Sequence, residues 1–374
     1  MSVFLKGADL STLSEVEGCG ARFYDTDGRE DDAMRILARH GVNHVRLRLW
    51  NDPRSAAGEP YGGGGCDLET VAALAGRAGE LGLSWQLVFH YSDFWTDPGK
   101  QNLPKAWRGL GERELERAVY DFTHATLLSL RDRGPAPSLV SVGNEITNGL
   151  LWPAGKVPHW DTIARLVSAG IRAVRDTLPA AKTLIHLDNG GKGEISRDWF
   201  SHYAENGGED FDCIGLSYYP YWSGTLKGLE ENLHALASAY HKPLLVTETA
   251  TGHTLADYGA LERLENAARK GMAAGEKEAA QIPWPMTPAG QAAFLTELAA
   301  LIRQVPAGCG AGFVYWEPAW LPVPGSGWAT GAALHYLQNP GPGGNEWANQ
   351  ALFDYSGHAL PAVEALARPT WSAP

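Results

Sequence analysis

Two glutamates stand where apolar, strand-like runs end, and their carboxylates could do chemistry together. Glu145 ends the run SLVSVGNE, which begins at Ser138, and Glu248 ends the run PLLVTE, which begins at Pro243. Two carboxylates that face one cleft are the minimum equipment for cleaving a glycosidic bond. Asn144 precedes the first glutamate and supplies an amide that could orient a sugar hydroxyl.

The chemistry would give the two glutamates different roles. Glu145 is expected to be the general acid/base, which needs the higher pKa so that it holds a proton for the leaving oxygen. Glu248 is expected to be the nucleophile that attacks the anomeric carbon. Glu317, next to Trp316, is a rival carboxylate. Because adjacent strand residues point to opposite faces, we expect Glu317 to point away from the cleft if Trp316 points into it.

Polar and aromatic residues gather at the end of another strand-like run. The segment LSWQLVFHYSDFW closes with His90, Tyr91, Asp93 and Trp95. A single histidine in a strand is more often a satisfied core residue, but hydrogen-bonding groups beside a flat aromatic ring suit a sugar site. The alternative explanation of the glutamates, two unrelated charges at strand ends, is disfavoured by this cluster.

Two further runs end in residues of the same kind. In FDCIGLSYYPY, Ser217 and Tyr219 alternate on one face, and Tyr219 could hydrogen-bond the nucleophilic carboxylate. In FVYWEPAW, Trp316 ends the run and could form the floor under a sugar ring.

Two arginines share one face of the run NHVRLRLW. Burying the charges of Arg46 and Arg48 inside a strand costs free energy unless carboxylates pair with them. An arginine beside a catalytic carboxylate would keep that carboxylate ionised and in position. We expect one of the two to be structural and the other to lie at the site, and Arg46 is the preferred site residue.

Eight strand-like runs alternate with amphipathic stretches along the chain. The runs are 4–10, 43–50, 83–90, 138–145, 182–188, 211–219, 243–248 and 311–316, and the helical stretches include 30–40, 67–82, 115–134, 163–179 and 290–305. This alternation indicates parallel βα units. We predict an α/β protein, a single (β/α)8 TIM barrel over residues 1–374, with enlarged βα loops, notably after strands 7 and 8. The loop after strand 7 contains a helix-prone stretch, 261–281. A doubly wound open sheet is the main alternative.

The composition excludes several classes of partner. The 374 residues carry a formal net charge of −12, whereas phosphate backbones are bound by basic patches, so we expect no nucleic-acid partner. No apolar run approaches the length of a membrane span. Four cysteines match no zinc motif; Cys213 and Cys309 are expected to be small buried hydrophobes, and Cys19 and Cys66 could pair or stay free.

Longer motifs resemble those of one family, the endo-β-1,4-galactanases of glycoside hydrolase family 53, in the clan of retaining (β/α)8 hydrolases. The motifs run through most of the chain: KGADLSTL, VRLRLWNDP, FHYSDFWTDPGKQNLPKAW, VGNEITNGLLWP, IHLDNG, FDCIGLSYYPYW, LLVTETA and FVYWEPAWLP. The phrase HYSDFWTDPGKQ is far more specific than NE or TE, which whole clans share.

The resemblance implies a site, a substrate and a mechanism. Glu145 is implied as the acid/base and Glu248 as the nucleophile of a double displacement with retention on β-1,4-galactan of pectin. No metal or organic cofactor is implied, and we expect a monomer. Supporting residues are implied at Arg46, His90, Asn144, Tyr219 and Trp316, and substrate-binding residues at Asp93, Trp95, Asp188 and Asn189, alongside Ser217.

Two segments depart from the family pattern. Some bacterial members carry an Asp/Gly-rich calcium loop after strand 7, where this chain reads TGHTLADYGALERLENAARKG, so no calcium site is predicted. The segment after IHLDNG also differs, which affects the expected number of sugar subsites. The alternatives are a β-mannanase or cellulase of the same clan, and a galactan-binding protein without catalysis.

The compartment follows from the resemblance and not from a signal in the chain. The sequence has no basic n-region or apolar h-region at its start. Because family members mostly act outside the cell, we expect a secreted protein whose signal peptide is absent from this chain. Cytoplasmic action on galacto-oligosaccharides is the alternative.

Overall fold

A closed barrel of eight parallel strands forms the centre of the molecule. The computed structural model describes residues 3–259, 269–339 and 341–367. Each strand pairs with its neighbour in chain order, and the last strand pairs with the first. The strands are β1 (Leu5–Asp9), β2 (His44–Leu49), β3 (Ser84–Phe89), β4 (Leu139–Val142), β5 (Lys182–Leu187), β6 (Cys213–Ser217), β7 (Leu244–Thr249) and β8 (Gly310–Trp316). The predicted (β/α)8 barrel is confirmed, and the open sheet is excluded.

Helices connect the strands around the outside of the barrel. They are α1 (Leu13–Gly18), α2 (Ala33–Arg39), α3 (Leu68–Glu80), α4 (Glu112–Arg133), α5 (Trp160–Thr177), α6 (Gly193–Glu205), α7 (Leu226–Tyr240), α8 (Glu276–Ala279), α9 (Pro288–Arg303), α10 (Gly331–Tyr336) and α11 (Pro361–Ala367). Several begin at a side chain that caps their first turn. Asp67, for example, accepts a hydrogen bond from the Thr70 amide at 2.9 Å, which satisfies a donor that the helix leaves free.

The loops after β7 and β8 are enlarged, as predicted. Residues 250–287 separate β7 from α9, and residues 317–360 separate β8 from α11. Part of the helix-prone stretch 261–281 lies outside the described residues, and its described part holds only the short helix α8. A small hairpin, Gly149–Leu150 with Gly155–Lys156, extends the loop after β4.

The barrel interior is apolar at one end and polar at the other. A separate apolar cluster comes from the starts of the strands and includes Leu5, Leu139, Leu184, Cys213 and Leu245. Residues nearer the carboxyl ends of the strands include polar or charged side chains that are fully buried, among them Asp9, Arg46, Arg48 and His186. Because all strands are parallel, these polar residues meet at the carboxyl end of the barrel, the end that carries the site in such folds.

Two further features of the described part of the chain concern its helices and its cysteines. None of its helices is long and apolar enough to cross a membrane. All four cysteines are free thiols, so Cys19 and Cys66 do not pair, and Cys213 is buried among apolar side chains as predicted.

Strand β8 contains a bulge that depends on a glycine. Gly312 has φ 136°, and the register between β7 and β8 shifts beside it. A Cβ atom at this position would lie 2.0 Å from the Leu5 carbonyl oxygen on β1. The close approach of β8 to β1, which closes the barrel, therefore requires a residue without a side chain.

We expect Gly312→Ala to lower the free energy of unfolding by about 3 kcal/mol, because it adds both backbone strain and a clash with a neighbouring strand. Urea unfolding followed by circular dichroism measures the change. Gly76→Ala is the matched control, because Gly76 lies in α3 with nothing within 4 Å of the added atom. It should stabilise the protein by up to about 1 kcal/mol. Equal stabilities of the two variants would contradict this account of the bulge.

Candidate active site

A cleft of about 940 Å³ opens at the carboxyl end of the barrel strands. Its walls include residues from the ends of β3 to β8 and from the loops that follow them. Ten of the twelve predicted site residues line it: His90, Trp95, Asn144, Glu145, Asp188, Asn189, Ser217, Tyr219, Glu248 and Trp316. The other two, Arg46 and Asp93, lie outside the wall for different reasons.

Glu248 is held by a cation and a phenol. It lies on β7, and its side chain is almost fully buried. Arg46 Nη2 donates to Oε1 at 2.6 Å, and the Tyr219 hydroxyl donates to Oε2 at 3.0 Å. Burial raises the pKa of Glu248, whereas Arg46 and Tyr219 act in the opposite direction by stabilising the carboxylate. Both oxygens of Glu248 are therefore fixed in position.

Glu145 has a different environment. It follows β4 with φ 49° and is partly buried. Its Oε1 accepts a hydrogen bond of 2.6 Å from the Ser217 hydroxyl. Burial, followed by the negative charges of Glu248 and Asp188, raises the pKa of Glu145 well above its usual value. The two carboxyl groups thus differ in the way that separates an acid from a nucleophile.

Arg46 connects Glu248 to the interior of the barrel. Its guanidinium also donates to Asp9 and, at 2.8 Å, to Asn144 Oδ1. Arg48 pairs instead with Asp9 at 2.9 Å and with Glu317 at 2.6 Å. Arg46 is thus the arginine that contacts a predicted catalytic residue. Arg48 has the structural ion pairs, although it also reaches the cleft wall under Trp95.

Asp9 balances both arginines at the end of β1. It is fully buried, and burial alone would raise its pKa, but Arg48 and Arg46 hold the pKa below its usual value. Sequence reasoning did not include Asp9 in the site. The signal was present, since two buried arginines on one strand require an acidic partner, and KGADL ends a neighbouring strand.

Asn144 is oriented from several sides. Its Oδ1 accepts from Arg46, and its Nδ2 donates to the Thr96 carbonyl oxygen at 3.0 Å. Gln101 Nε2 donates to the Asn144 carbonyl oxygen at 2.9 Å. The amide group that could bind a sugar hydroxyl is therefore fixed in one orientation before any substrate enters.

His186 is a second residue that sequence reasoning did not assign to the site. It lies on β5, fully buried, with Nε2 at 2.8 Å from Ser217 Oγ and Nδ1 at 3.2 Å from Asn144 Oδ1. Burial, reinforced by the charge of Arg46, lowers its pKa well below the usual value, so the ring is neutral. A histidine that alternates with leucines in the motif IHLDNG was the available signal.

The prediction that Asp93 binds substrate disagrees with the structure. The side chain is buried and does not line the cleft. One oxygen accepts from the Lys105 amide at 2.6 Å, and the other accepts from the Asp52 amide at 3.1 Å. Asp93 joins two loops because three residues of irregular backbone after His90 turn it away from the barrel axis. His90 itself faces the cleft and contacts Thr96 Oγ1 at 2.9 Å.

The expectation that Glu317 points away from the cleft agrees with the structure. The strand ends at Trp316, which lines the cleft, and Glu317 follows it with φ 50°. The Glu317 carboxylate binds Arg48 and the Thr12 hydroxyl, and it does not line the cleft. Burial raises the pKa of Glu317 to about 7 against the opposing charge of Arg48. Glu317 is a structural partner of Arg48 and not a third carboxylate of the cleft.

Tryptophans form much of the cleft wall. Trp95 and Trp316 were predicted, and Trp222, Trp328 and Trp347 join them. The ring of Trp316 lies 4.8 Å from that of Trp347 at an angle of 66°, and Trp222 is 40% exposed. Flat rings with exposed faces suit the apolar faces of sugars. Trp328 and Trp347 come from the loop after β8, whose richness in Pro, Gly and Trp indicated an enlarged wall.

The far end of the cleft is built by the two enlarged loops together. Lys270, after β7, pairs with Glu346, after β8, at 2.9 Å, and the Lys270 ammonium lies 4.5 Å from the ring centre of Trp328. Among the residues that the structure describes, no three His, Cys, Asp or Glu side chains are arranged to hold a metal ion.

Comparisons with known proteins give one consistent family. The sequence profile of glycosyl hydrolase family 53 matches residues 5–366. The chain is 35% identical to the endo-β-1,4-galactanase of Bacillus subtilis, covering 97% of this chain and 85% of that protein. It is 37% identical to the arabinogalactan endo-β-1,4-galactanase of Cellvibrio japonicus, covering 96% and 89%.

A solved structure agrees with these matches. The family 53 catalytic domain of Ignisphaera aggregans superposes with a TM-score of 0.88 at 37% identity, covering 97% of this chain and 95% of that domain. The profile match, the relatives and the superposed fold extend over nearly the whole chain. The protein therefore belongs to glycosyl hydrolase family 53.

Proposed function

We propose that this glycoside hydrolase is an endo-β-1,4-galactanase that cleaves (arabino)galactan side chains of pectin with retention of configuration. The observation that carries the proposal is the difference between the two carboxyl groups of the cleft. Glu248 is bound by Arg46 and Tyr219, which favour its ionised form, whereas Glu145 lies among negative charges that favour its protonated form. Relatives named as galactanases support the choice of substrate.

In the first step the ionised Glu248 attacks the anomeric carbon and forms a covalent galactosyl-enzyme. Glu145 gives its proton to the departing glycosidic oxygen, so that the leaving chain departs as a neutral alcohol. Arg46 and Tyr219 hold both oxygens of Glu248, which orients the nucleophile for this attack.

In the second step Glu145 acts as a base. Once it has lost its proton, its carboxylate removes a proton from a water molecule, which attacks the same carbon and releases Glu248. The loss of charge on Glu248 in the intermediate removes the main like-charge repulsion on Glu145, so its pKa falls when a base is required.

The shape of the cleft supports action within a polymer. Its volume of about 940 Å³ lies near the upper end of the range for ligand sites, which suits several sugar units. Trp316 and Trp347 offer ring faces on the side of β8, and Asp188 and Asn189 offer polar groups on the side of β5. The remaining alternatives are another substrate of the clan, mannan or cellulose, and galactan binding without cleavage.

Product analysis on potato-type β-1,4-galactan tests the proposal, with mannan and carboxymethylcellulose as parallel substrates. We expect a ladder of galacto-oligosaccharides from galactan alone, because relatives in the family are named endo-β-1,4-galactanases. Proton NMR of the first products should give the β-anomer before mutarotation. Cleavage of mannan or cellulose instead would discard the substrate, and binding of galactan without new reducing ends would support a non-catalytic protein.

Glu145→Ala should lower kcat on galactan by about 10²- to 10⁴-fold, because no neighbour can replace its proton. Glu248→Ala should lower kcat at least as much. Added azide should partly restore the activity of this variant on an activated aryl galactoside, because azide replaces the missing nucleophile and gives an α-galactosyl azide. Kinetics on purified, folded variants measure both effects. Activity like that of the wild type in either variant would refute the site.

Glu317→Gln is the matched control for these two variants. Glu317 is a buried carboxyl group at a strand end, like the other two, but it binds Arg48 and Thr12 outside the cleft wall. We expect lower thermal stability with little loss of kcat at a temperature where the variant is folded. A loss of kcat as large as that of Glu248→Ala would instead make Glu317 the catalytic carboxylate.

Asp188→Asn should move the basic limb of the kcat/KM profile to lower pH. After burial and Glu248, the charge of Asp188 is the next cause that raises the pKa of Glu145. Its removal lowers that pKa, so Glu145 loses its acid proton at a lower pH. The profile on galactan measures the shift, with Asp198→Asn on the exposed face of α6 as control. A shift in the opposite direction would show that Asp188 does not act on Glu145 through its charge.

A further inference from the structure

A chain of close polar contacts joins the two carboxyl groups of the cleft. Glu145 Oε1 accepts from Ser217, and Ser217 Oγ lies 2.8 Å from His186 Nε2. The other side of the imidazole meets Asn144, whose Oδ1 is bound by Arg46 Nη2, the same atom that donates to Glu248. This buried path links the proposed acid to the proposed nucleophile.

We propose that Ser217 and His186 are positioning residues for the reaction: they occupy one oxygen of Glu145 and leave its acid proton on the other oxygen, toward the substrate. This inference rests on the proposed function, in which Glu145 is the acid/base.

The direction of the chain follows from the ionised state of Glu145. A carboxylate has no hydrogen to donate, so the Ser217 hydroxyl must supply the hydrogen of the 2.6 Å contact. Ser217 has one hydrogen, so the contact with His186 requires the imidazole to donate from Nε2. The neutral ring then has no hydrogen on Nδ1, which accepts from the Glu145 backbone amide at 3.4 Å. Nδ1 also faces Asn144 Oδ1 at 3.2 Å, and in this tautomer that contact holds no hydrogen bond.

The same tautomer serves the protonated state of Glu145. If Ser217 continues to donate to Oε1, that oxygen is the carbonyl oxygen of the acid, and the proton must reside on Oε2. Within the described part of the chain, the Glu145 carboxyl group has its side-chain hydrogen bond from Ser217, which leaves Oε2 for the substrate. Neither half of the reaction then requires the buried ring to exchange its proton between nitrogens.

Several charged groups set the background for this arrangement. Glu145 faces Glu248 on β7, Asp188 after β5 and Asp97 after β3, all of which favour its protonated form. His186 faces Arg46 on β2, which keeps the ring neutral together with burial. Ser217 has the opposite effect and lowers the pKa of Glu145, because its hydroxyl donates to the ionised form of that carboxyl group. Its loss therefore raises the pKa of Glu145.

The test compares Ser217→Ala, His186→Asn and His186→Gln on two substrates. Glutamine can place an amide N–H near the position of Nε2, whereas asparagine reaches only to the position of Nδ1. For Ser217→Ala and His186→Asn we expect kcat/KM on galactan to fall about ten- to a hundredfold, the equivalent of one hydrogen bond to a charged group. The loss of kcat/KM should be far smaller on an aryl β-galactobioside with an activated leaving group, because that group departs without a proton from the acid. The basic limb of the galactan profile should move to higher pH, and His186→Gln should recover most of the loss.

His44 supplies the matched control. It is another fully buried histidine, it contacts Ser84 Oγ at 2.8 Å, and it lies at the start of β2, away from the cleft. His44→Gln and His44→Asn should change neither the ratio of kcat/KM on the two substrates nor the pH at which activity on galactan falls. Equal losses on both substrates in the Ser217 and His186 variants, without a shift of the limb, would overturn the proposal.

The wild-type protein gives a test that does not depend on folding of the variants. Long-range proton–nitrogen spectra of histidine-labelled protein should show His186 neutral and protonated at Nε2. A ring protonated at Nδ1 would overturn the proposal. A wild-type protein that cleaves neither galactan nor the aryl substrate would refute the proposed function instead, so the two failures are distinguishable.

Discussion

The burial of Arg46 is the constraint on which the site depends. Its guanidinium is fully enclosed and donates to Asp9, Asn144 and Glu248, three groups from three different strands or strand ends. A charge without water around it must be matched by its neighbours, so the position of each partner is determined by that need. The proposed nucleophile is thereby held by the same contact that balances the barrel interior. The proposed catalytic geometry and the balance of charge in the barrel interior share one ion-pair network in this protein.

The sequence predicted the barrel because the features that define it are local and repeated. Each strand is a short apolar run, each major helix is an amphipathic stretch, and their alternation allows few topologies. The cleft residues at strand ends followed from the same pattern, since parallel strands bring their carboxyl ends together. Arg46 could be preferred over Arg48, but the sequence pattern does not say which acidic residue pairs with the two arginines, so their shared partner Asp9 was missed. His186 was missed because a lone histidine in an apolar strand is more often a core residue than a site residue.

The side-chain directions beyond the strand ends depend on a common feature of the backbone. Tyr91, Glu145, Asn189 and Glu317 all have positive φ and follow closely on the ends of β3, β4, β5 and β8. A left-handed residue at that point breaks the two-residue alternation from which side-chain directions were inferred. Asp93, beyond the left-handed Tyr91, therefore lies in a loop that turns away from the cleft. Alternation is reliable within a strand, but the catalytic end of a barrel begins where the strand stops.

The pairing of β8 with β1 has a consequence for how the chain reaches its native state. Asp9 and Thr12 come from the first strand and the turn after it, and Glu317 follows the last strand. The compensation of Arg46 and Arg48 is therefore incomplete until the two ends of the chain meet. A chain without its C-terminal part has both arginines but lacks Glu248 and Glu317. Removing water from around the arginines is then unfavourable, because two of their partner carboxylates are missing. Closure of the ring between β8 and β1 and compensation of the two arginines therefore depend on the same contacts between the two ends of the chain.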